Sequence, residues 1–419
     1  TENDNLAIGH QAMSANTAGG TYNIAIGNYA LDALTSGDYN VVVGGGAGTA
    51  INTGSDNAIY GYLAGNALTS GADNVAIGST SLYTATTTSG NTAVGSNALK
   101  LTTGDSNVAV GRQAMEDNST GSNNVAVGME AMLQNTTGGD NTAIGYGSLE
   151  NNTTGTSNVA VGRDALEATT GNANVGVGHQ AGKANTSGQI IAIGYQAMVA
   201  NTTGTRNIAI GGNAYDSSDT ESDNIAIGHN AMTAATNGGQ QNIALGNYAG
   251  DAITTGDNNI VIGSHAGSVI TTGSDNTFLG YYAGSLTVSG FSNTGIGFQS
   301  LYNNTGPQNV SVGHNAMFNN VGGAHNTAVG YLALHTSTSG NNHTAFGQEA
   351  LHKVTTGSNN QGIGRDAGSE ITEGSNNVCL GTAAGDGITT GDSNVCVGYN
   401  AGAVTTGDNQ LYIARGNGN

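Results

Sequence analysis

Apolar and polar positions alternate along this chain in one phrase, N-x-A-[IV]-G, which recurs from end to end. The glycine that closes it stands at 9, 27, 44, 61 and onward to 398, 24 copies in all, spaced by 16, 17 or 18 residues and mostly by 17. We count positions within a copy from that glycine, as 0. Position −4 is Asn in 22 copies, with Ile190 and His343 as the exceptions. Position −3 is mostly Val, Ile or Thr, −2 is usually Ala, and −1 is a large apolar residue. Period-two alternation over a β-branched run predicts one strand of about five residues per copy. A second short apolar stretch follows, with Ala at +3, or Ser at 81, 148 and 300. A turn rich in T-T-G then leads to the next Asn.

Position +4 carries a trade. It is Leu in eight copies, Met in six, Tyr at 215 and Gly in nine. Where it is Gly, a large aliphatic tends to stand three residues on: Gly48 with Ile51, Gly65 with Leu68, Gly250 with Ile253, Gly267 with Ile270, Gly368 with Ile371, Gly385 with Ile388. In the Leu and Met copies that later position is mostly Asn, Thr, Ser or Ala, with Leu34 and Val354 breaking the pattern. One core slot per copy, filled from either of two backbone positions, accounts for this. Gly182 has no obvious filler, so a small void is expected there.

A 17-residue unit is too small for a propeller blade or a helix pair, and it fits one coil of a solenoid. The expected fold is therefore all-β: a parallel β-solenoid, or β-roll, of about 24 coils. It would form a single repetitive rod over residues 1–404, with 405–419 as the end of the roll leading into a further C-terminal region. At about 4.8 Å per coil the rod would be on the order of 115 Å long. The Asn column predicts a ladder of amides from coil to coil. Near-absence of proline suits a stack in which each residue donates to a neighbour, and the single Pro307 falls in a turn. Each coil offers few apolar side chains, many of them Ala. Side-by-side association of copies is the expected remedy.

The phrases NVAVG (107–111, 124–128, 158–162) and NIAIG (23–27, 207–211, 224–228), each followed by an Ala-containing segment, resemble the head repeats of trimeric autotransporter adhesins. The resemblance covers nearly all copies. It implies left-handed parallel β-rolls, three chains side by side about a threefold axis. The unit here is longer than the usual head repeat, which implies an extra turn or a longer outer loop. NTAIGYGSL (141–149) and NTAVGYLAL (326–334) resemble repeats in tail fibres of marine and cyanobacterial phages. GDNQLYIARGNGN (407–419) resembles the point where such fibres leave the repeat and approach a collar and a self-cleaving chaperone. There Asn409 keeps the register, but Ile413 and Ala414 stand where the next glycine is due, which places the end of the roll.

Composition narrows the function. Glycine accounts for 70 of 419 residues, tryptophan is absent, charged residues are 9%, and the net charge is −20. Eight basic residues against 28 acidic ones disfavour nucleic acid or an anionic membrane surface as partner. No apolar run of 18 residues predicts a membrane span. The row has no signal peptide and no initiator Met, which reads as a mature piece or a fragment.

Candidate chemistry is sparse, and no catalytic, cofactor or metal residues are assigned. No nucleophile elbow, phosphate-binding loop or zinc motif occurs. GGGAG (44–48) reads as the repeat itself. Asp38, Asp56, Asp73, Asp105, Asp140, Asp223, Asp257, Asp275 and Asp392 gather before the Asn column; stacked, they could invite calcium, but a solvated acidic edge is the preferred reading. His10, His179, His229 and His314 follow the glycine and are expected to face solvent. His343 replaces a ladder Asn; metal or anion binding on a trimer axis is the weaker alternative to a packed ladder residue. Cys379 and Cys396 are too far apart in sequence for a zinc pattern and are expected to pack as small hydrophobes. The T-T pairs give one threonine rank rather than two, against ice binding.

The expected function is non-enzymatic: a structural segment of a homotrimeric phage tail fibre or other extracellular appendage, presenting a host-binding tip and contacting host glycans or a protein receptor. The alternative is the head domain of a bacterial adhesin at the cell surface.

Overall fold

The computed structural model describes residues 4–15, 19–234, 238–402 and 406–414. Two compact units divide the chain, Thr1–Asn207 and Ile208–Asn419. The first holds twelve strands, β1 (Leu6–Ile8) to β12 (Ile191–Ile193); the second holds thirteen, β13 (Ile208–Ile210) to β25 (Leu411–Ile413). No helix occurs among the described residues. Within each unit the chain winds as a parallel β-solenoid, one strand per coil, like residue over like. Val108, Ala109 and Val110 pair with Val125, Ala126 and Val127. Thr327, Ala328 and Val329 pair with Thr344, Ala345 and Phe346. The pairing reaches Leu411–Ile413, which lie against Val395–Val397, so the register continues past the last phrase glycine. Residues 403–405 and 415–419, within the segment expected to close the roll, lie outside the described residues.

Each strand spans three residues, −3 to −1, rather than five. Both flanks are committed elsewhere. The Asn124 N–H donates to the Asn107 side-chain oxygen at 3.0 Å instead of to a neighbouring strand. Gly111 at position 0 has φ +142°, a region open only to glycine.

The strand turns its small residue inward. Ala109, Ala126 and Ala143 are fully buried, whereas Val110, Val127 and Ile144 are 36%, 37% and 42% exposed. A coil this narrow has room for Ala at −2, Ala at +3 and one large side chain. The β-branched residues at −3 and −1 therefore stack on the outside, each against its counterpart in the next coil.

The second apolar stretch is a run of turns and not a strand. Positions +2 and +4 are left-handed, as at Gln113 (φ 60°) and Met115 (φ 50°), or Glu130 (φ 60°) and Met132 (φ 53°). Their amides still bond from coil to coil: Met115 N–H donates to Ala131 O at 3.0 Å. Left-handed backbone costs a residue with a Cβ about 1–2 kcal/mol. Burial of the whole Leu or Met side chain offsets that cost. Glycine at +4 removes the strain but empties the slot.

The vacated slot is filled from three places, one more than the sequence pattern suggested. A Cβ at Gly250 would lie 2.8 Å from Ile253 Cδ1, at position +7. At Gly65 it would lie 2.7 Å from Ile59 Cδ1, and at Gly284 2.4 Å from a carbon of Phe278. Ile59 and Phe278 sit at the strand centre, where most copies carry Ala. Gly182 leaves no void: Leu166 Cδ2 and Ile190 Cδ1 stand 2.8 and 3.1 Å from where its Cβ would be. Ile190 thus takes the ladder position of Asn and fills the slot as well.

This exchange is testable by a double-mutant cycle. Gly250→Leu alone overfills the slot, at about 1–3 kcal/mol. Ile253→Ala alone leaves a cavity, at about 2–4 kcal/mol. The pair is expected to cost less than the sum by about 1–3 kcal/mol in urea unfolding; additive losses would show that the two positions do not share a slot.

Candidate functional site

The most elaborate polar constellation is the Asn ladder. Asn124 donates from Nδ2 to Gly138 O at 2.9 Å and to Asn107 Oδ1 at 3.2 Å. Its own Oδ1 accepts the Asn141 N–H at 3.0 Å. The same pattern recurs at Asn57 and Asn74, and at Asn259 and Asn276 in the second unit. All these side chains are buried. The amides are consumed in holding turn to turn, so the column is structural. A second Asn column was not recognised in the sequence. At +7, Asn135 donates to Asn118 Oδ1 at 2.6 Å and to Gly138 O at 2.9 Å. Its signal was the polar alternative in the +7 exchange, which was read only as the absence of a filler.

His343 packs into the first ladder as an Asn substitute. Its backbone N–H donates to Asn326 Oδ1 at 2.8 Å, and its Nδ1 accepts from Asn360 N at 3.2 Å. Nε2 is buried without a hydrogen-bond partner. Burial pushes the imidazole down to about 4, with the Gly357 and Asn360 backbone partly opposing. The native state therefore holds His343 neutral while the unfolded chain binds a proton near pH 6.5. Its contribution to stability is complete above about pH 6.5, declines as pH falls toward about 4, and is fully lost below. The loss is on the order of 3 kcal/mol. His343→Asn is expected to unfold with a smaller drop in urea midpoint between about pH 7 and pH 4 than the unaltered chain; an equal drop would contradict this assignment.

The acidic turns are also engaged. Asp38, Asp105, Asp257 and Asp392 stand at −6 and accept the backbone N–H of Thr21, Ser89, Gln240 and Ser375 at 2.7–2.8 Å. Serines do the same elsewhere, as Ser55 does for Asp38 N–H. Asp56, Asp73, Asp140, Asp223 and Asp275 stand at −5 in left-handed backbone, φ 58–64°, which Asp tolerates better than most residues. No group of three His, Cys, Asp or Glu side chains among the described residues is arranged to hold a metal ion. In GGGAG, Gly46 and Gly48 fill the ordinary left-handed +2 and +4 positions, with φ 64° and 56°.

Two surface features remain. The first is the outward column of Val, Ile, Leu and Phe at −1, half-exposed or exposed along both units. The second is a set of aromatic stacks in the second unit. Tyr281, Phe298 and His314 stack at +1 with centroids 5.6 and 4.7 Å apart. Tyr302, Phe318 and His335 stack at +5, 4.9 and 5.3 Å apart. His10, His229 and His314 are exposed and His179 is half-buried. Basic residues pair locally: Arg112 with Glu130 at 3.0 Å, Lys183 with Glu167 at 3.0 Å. The larger recesses are open notches of about 320 Å³, lined by Gly171, Asn172, Ala173, Gly188, Gln189 and Thr205, and about 380 Å³, beside Asp386. Neither brings together the acid, base and nucleophile that a catalytic centre needs. No helix among the described residues is long and apolar enough to cross a membrane.

No protein-family model matches the sequence, and no curated protein matches it.

Proposed function

We propose that the chain is a structural segment of a homotrimeric extracellular fibre, of the phage tail-fibre kind, that spaces and presents a host-binding tip. The carrying observation is the outward apolar column. A protein with only 9% charged residues sets its largest aliphatic side chains outside the coil and alanine inside. Such a continuous face is unfavourable in water and marks an interaction surface. Three copies packed along these faces would bury the side chains that the narrow coil cannot. Coil-to-coil ladders then give stiffness without a catalytic centre. The second reading, an adhesin head whose roll itself attaches, draws on the aromatic stacks of the second unit. Their edges at Tyr281 and Phe298 are exposed and could meet a glycan.

The face is tested by Val110→Lys, Val127→Lys and Ile144→Lys combined. These side chains project outward, so the β signal in circular dichroism is expected to persist while the native mass falls to one chain. A variant that keeps three chains would remove the face from the interface.

A further inference from the structure

The two cysteines, distant by 17 residues in sequence, are direct neighbours in space. Strand β24 (Val395–Val397) lies in parallel register on β23 (Val378–Leu380), with Cys379 opposite Cys396. Both are strand centres, so both side chains turn into the coil, where both are buried and unbridged. Adjacent strands run about 4.8 Å apart, inside the Cα separation of about 4.4–6.8 Å that a disulfide spans. The sulfurs also have room. A Cβ at Gly385 would fall 2.3 Å from Cys379 Sγ, and one at Gly402 would fall 2.5 Å from Cys396 Sγ. Both +4 glycines therefore leave their slots to sulfur. The thiols hydrogen-bond to one another, and that bond, with burial, holds the Cys379 thiol above its usual range. The column above and below offers no competing thiol: Gly362 faces Cys379 and Tyr412 faces Cys396.

We propose that Cys379 and Cys396 are an oxidisable pair that closes to a coil-to-coil disulfide, stapling two successive turns of the second unit. The oxidant is a low-molecular-weight disulfide such as oxidised glutathione. While the coils are transiently open, one cysteine loses its proton and its thiolate attacks a glutathione sulfur, forming a mixed disulfide and releasing one glutathione thiolate. The second cysteine, also deprotonated, attacks the protein sulfur of that mixed disulfide and releases the other. One S–S bond forms and one breaks. The two cysteines give up two electrons and two protons, and oxidised glutathione becomes two molecules of reduced glutathione. The bridge closes a loop of about 17 residues and restricts the unfolded chain.

The test incubates the full chain with oxidised glutathione, both folded just below its thermal midpoint and during refolding from urea. The chain is then denatured, alkylated with iodoacetamide and weighed. A mass lower than the reduced chain by two hydrogen atoms, with no alkylation and a bridged peptide joining Cys379 to Cys396, is expected. The thermal midpoint should then rise, and fall back on adding a reductant. Cys379→Ser is expected to stop at a glutathione adduct on Cys396. Two alkylated thiols after both treatments, glutathione retained on either cysteine of the unaltered chain, or a bridge between chains would overturn the proposal.

Discussion

Gly128→Ala is expected to unfold the coils around it, at a cost above about 4 kcal/mol. The residue closes strand β8 (Val125–Val127) with φ +141°, where an L side chain is strained by about 1–3 kcal/mol. Space makes matters worse. The new Cβ would sit 2.5 Å from Gly145 O and 2.7 Å from Gly145 C. Those are backbone atoms of the next coil, which cannot rotate away as a side chain can. Relief requires the two coils to separate, and separation breaks the strand pairing on which each depends. The expected readout is a loss of β signal or a urea midpoint far below that of the unaltered chain. Gly45→Ala is the control. Gly45 does not have positive φ, and its Cβ would meet only Tyr62 Cδ2 at 3.8 Å. A change within about 0.5 kcal/mol is expected there. Equal effects at the two glycines would show that close approach of the coils is not what selects the residue.

Asn124→Ala should follow closely in size. Removing the amide leaves the Asn141 N–H without its side-chain acceptor and Gly138 O without its donor, both inside the turn. Each buried orphan costs about 1–3 kcal/mol, so a loss of roughly 3–5 kcal/mol is expected in urea unfolding. Asn124→Asp separates the two roles. It keeps the acceptor for Asn141 but aims a carboxylate oxygen at the Gly138 carbonyl oxygen, so it should recover little at neutral pH. If either variant costs less than about 1 kcal/mol, the ladder is not what joins the coils.

Much of this was legible in the sequence, for identifiable reasons. The 17-residue period and the Asn column are visible because every coil solves the same packing problem with nearly the same residues. The +4 exchange betrayed a shared slot because a deleted side chain must be replaced. The orientation of the strand was not legible. Both of its faces are apolar, and the usual expectation buries the larger residue; only the narrowness of the coil puts Ala109 inside and Val110 outside. The left-handed +2 and +4 positions stayed hidden because Gln, Leu and Met do not announce positive φ. Only the nine glycines at +4 hinted at it, and they were read as missing volume. The strand-centre fillers Ile59 and Phe278, and Ile190 beside Gly182, act across the coil and show no fixed sequence offset. The surface carries even less signal, because a repeated outer face has no unique residue to mark a partner.

The most direct measurement is the native mass of the unaltered chain by light scattering, with and without a chelator. Three times the 41.4 kDa chain mass, unchanged by chelation because the −6 carboxylates bind backbone amides, is the expected result. A single-chain mass would contradict the account, since the outward Val and Ile column would then face water with nothing to cover it.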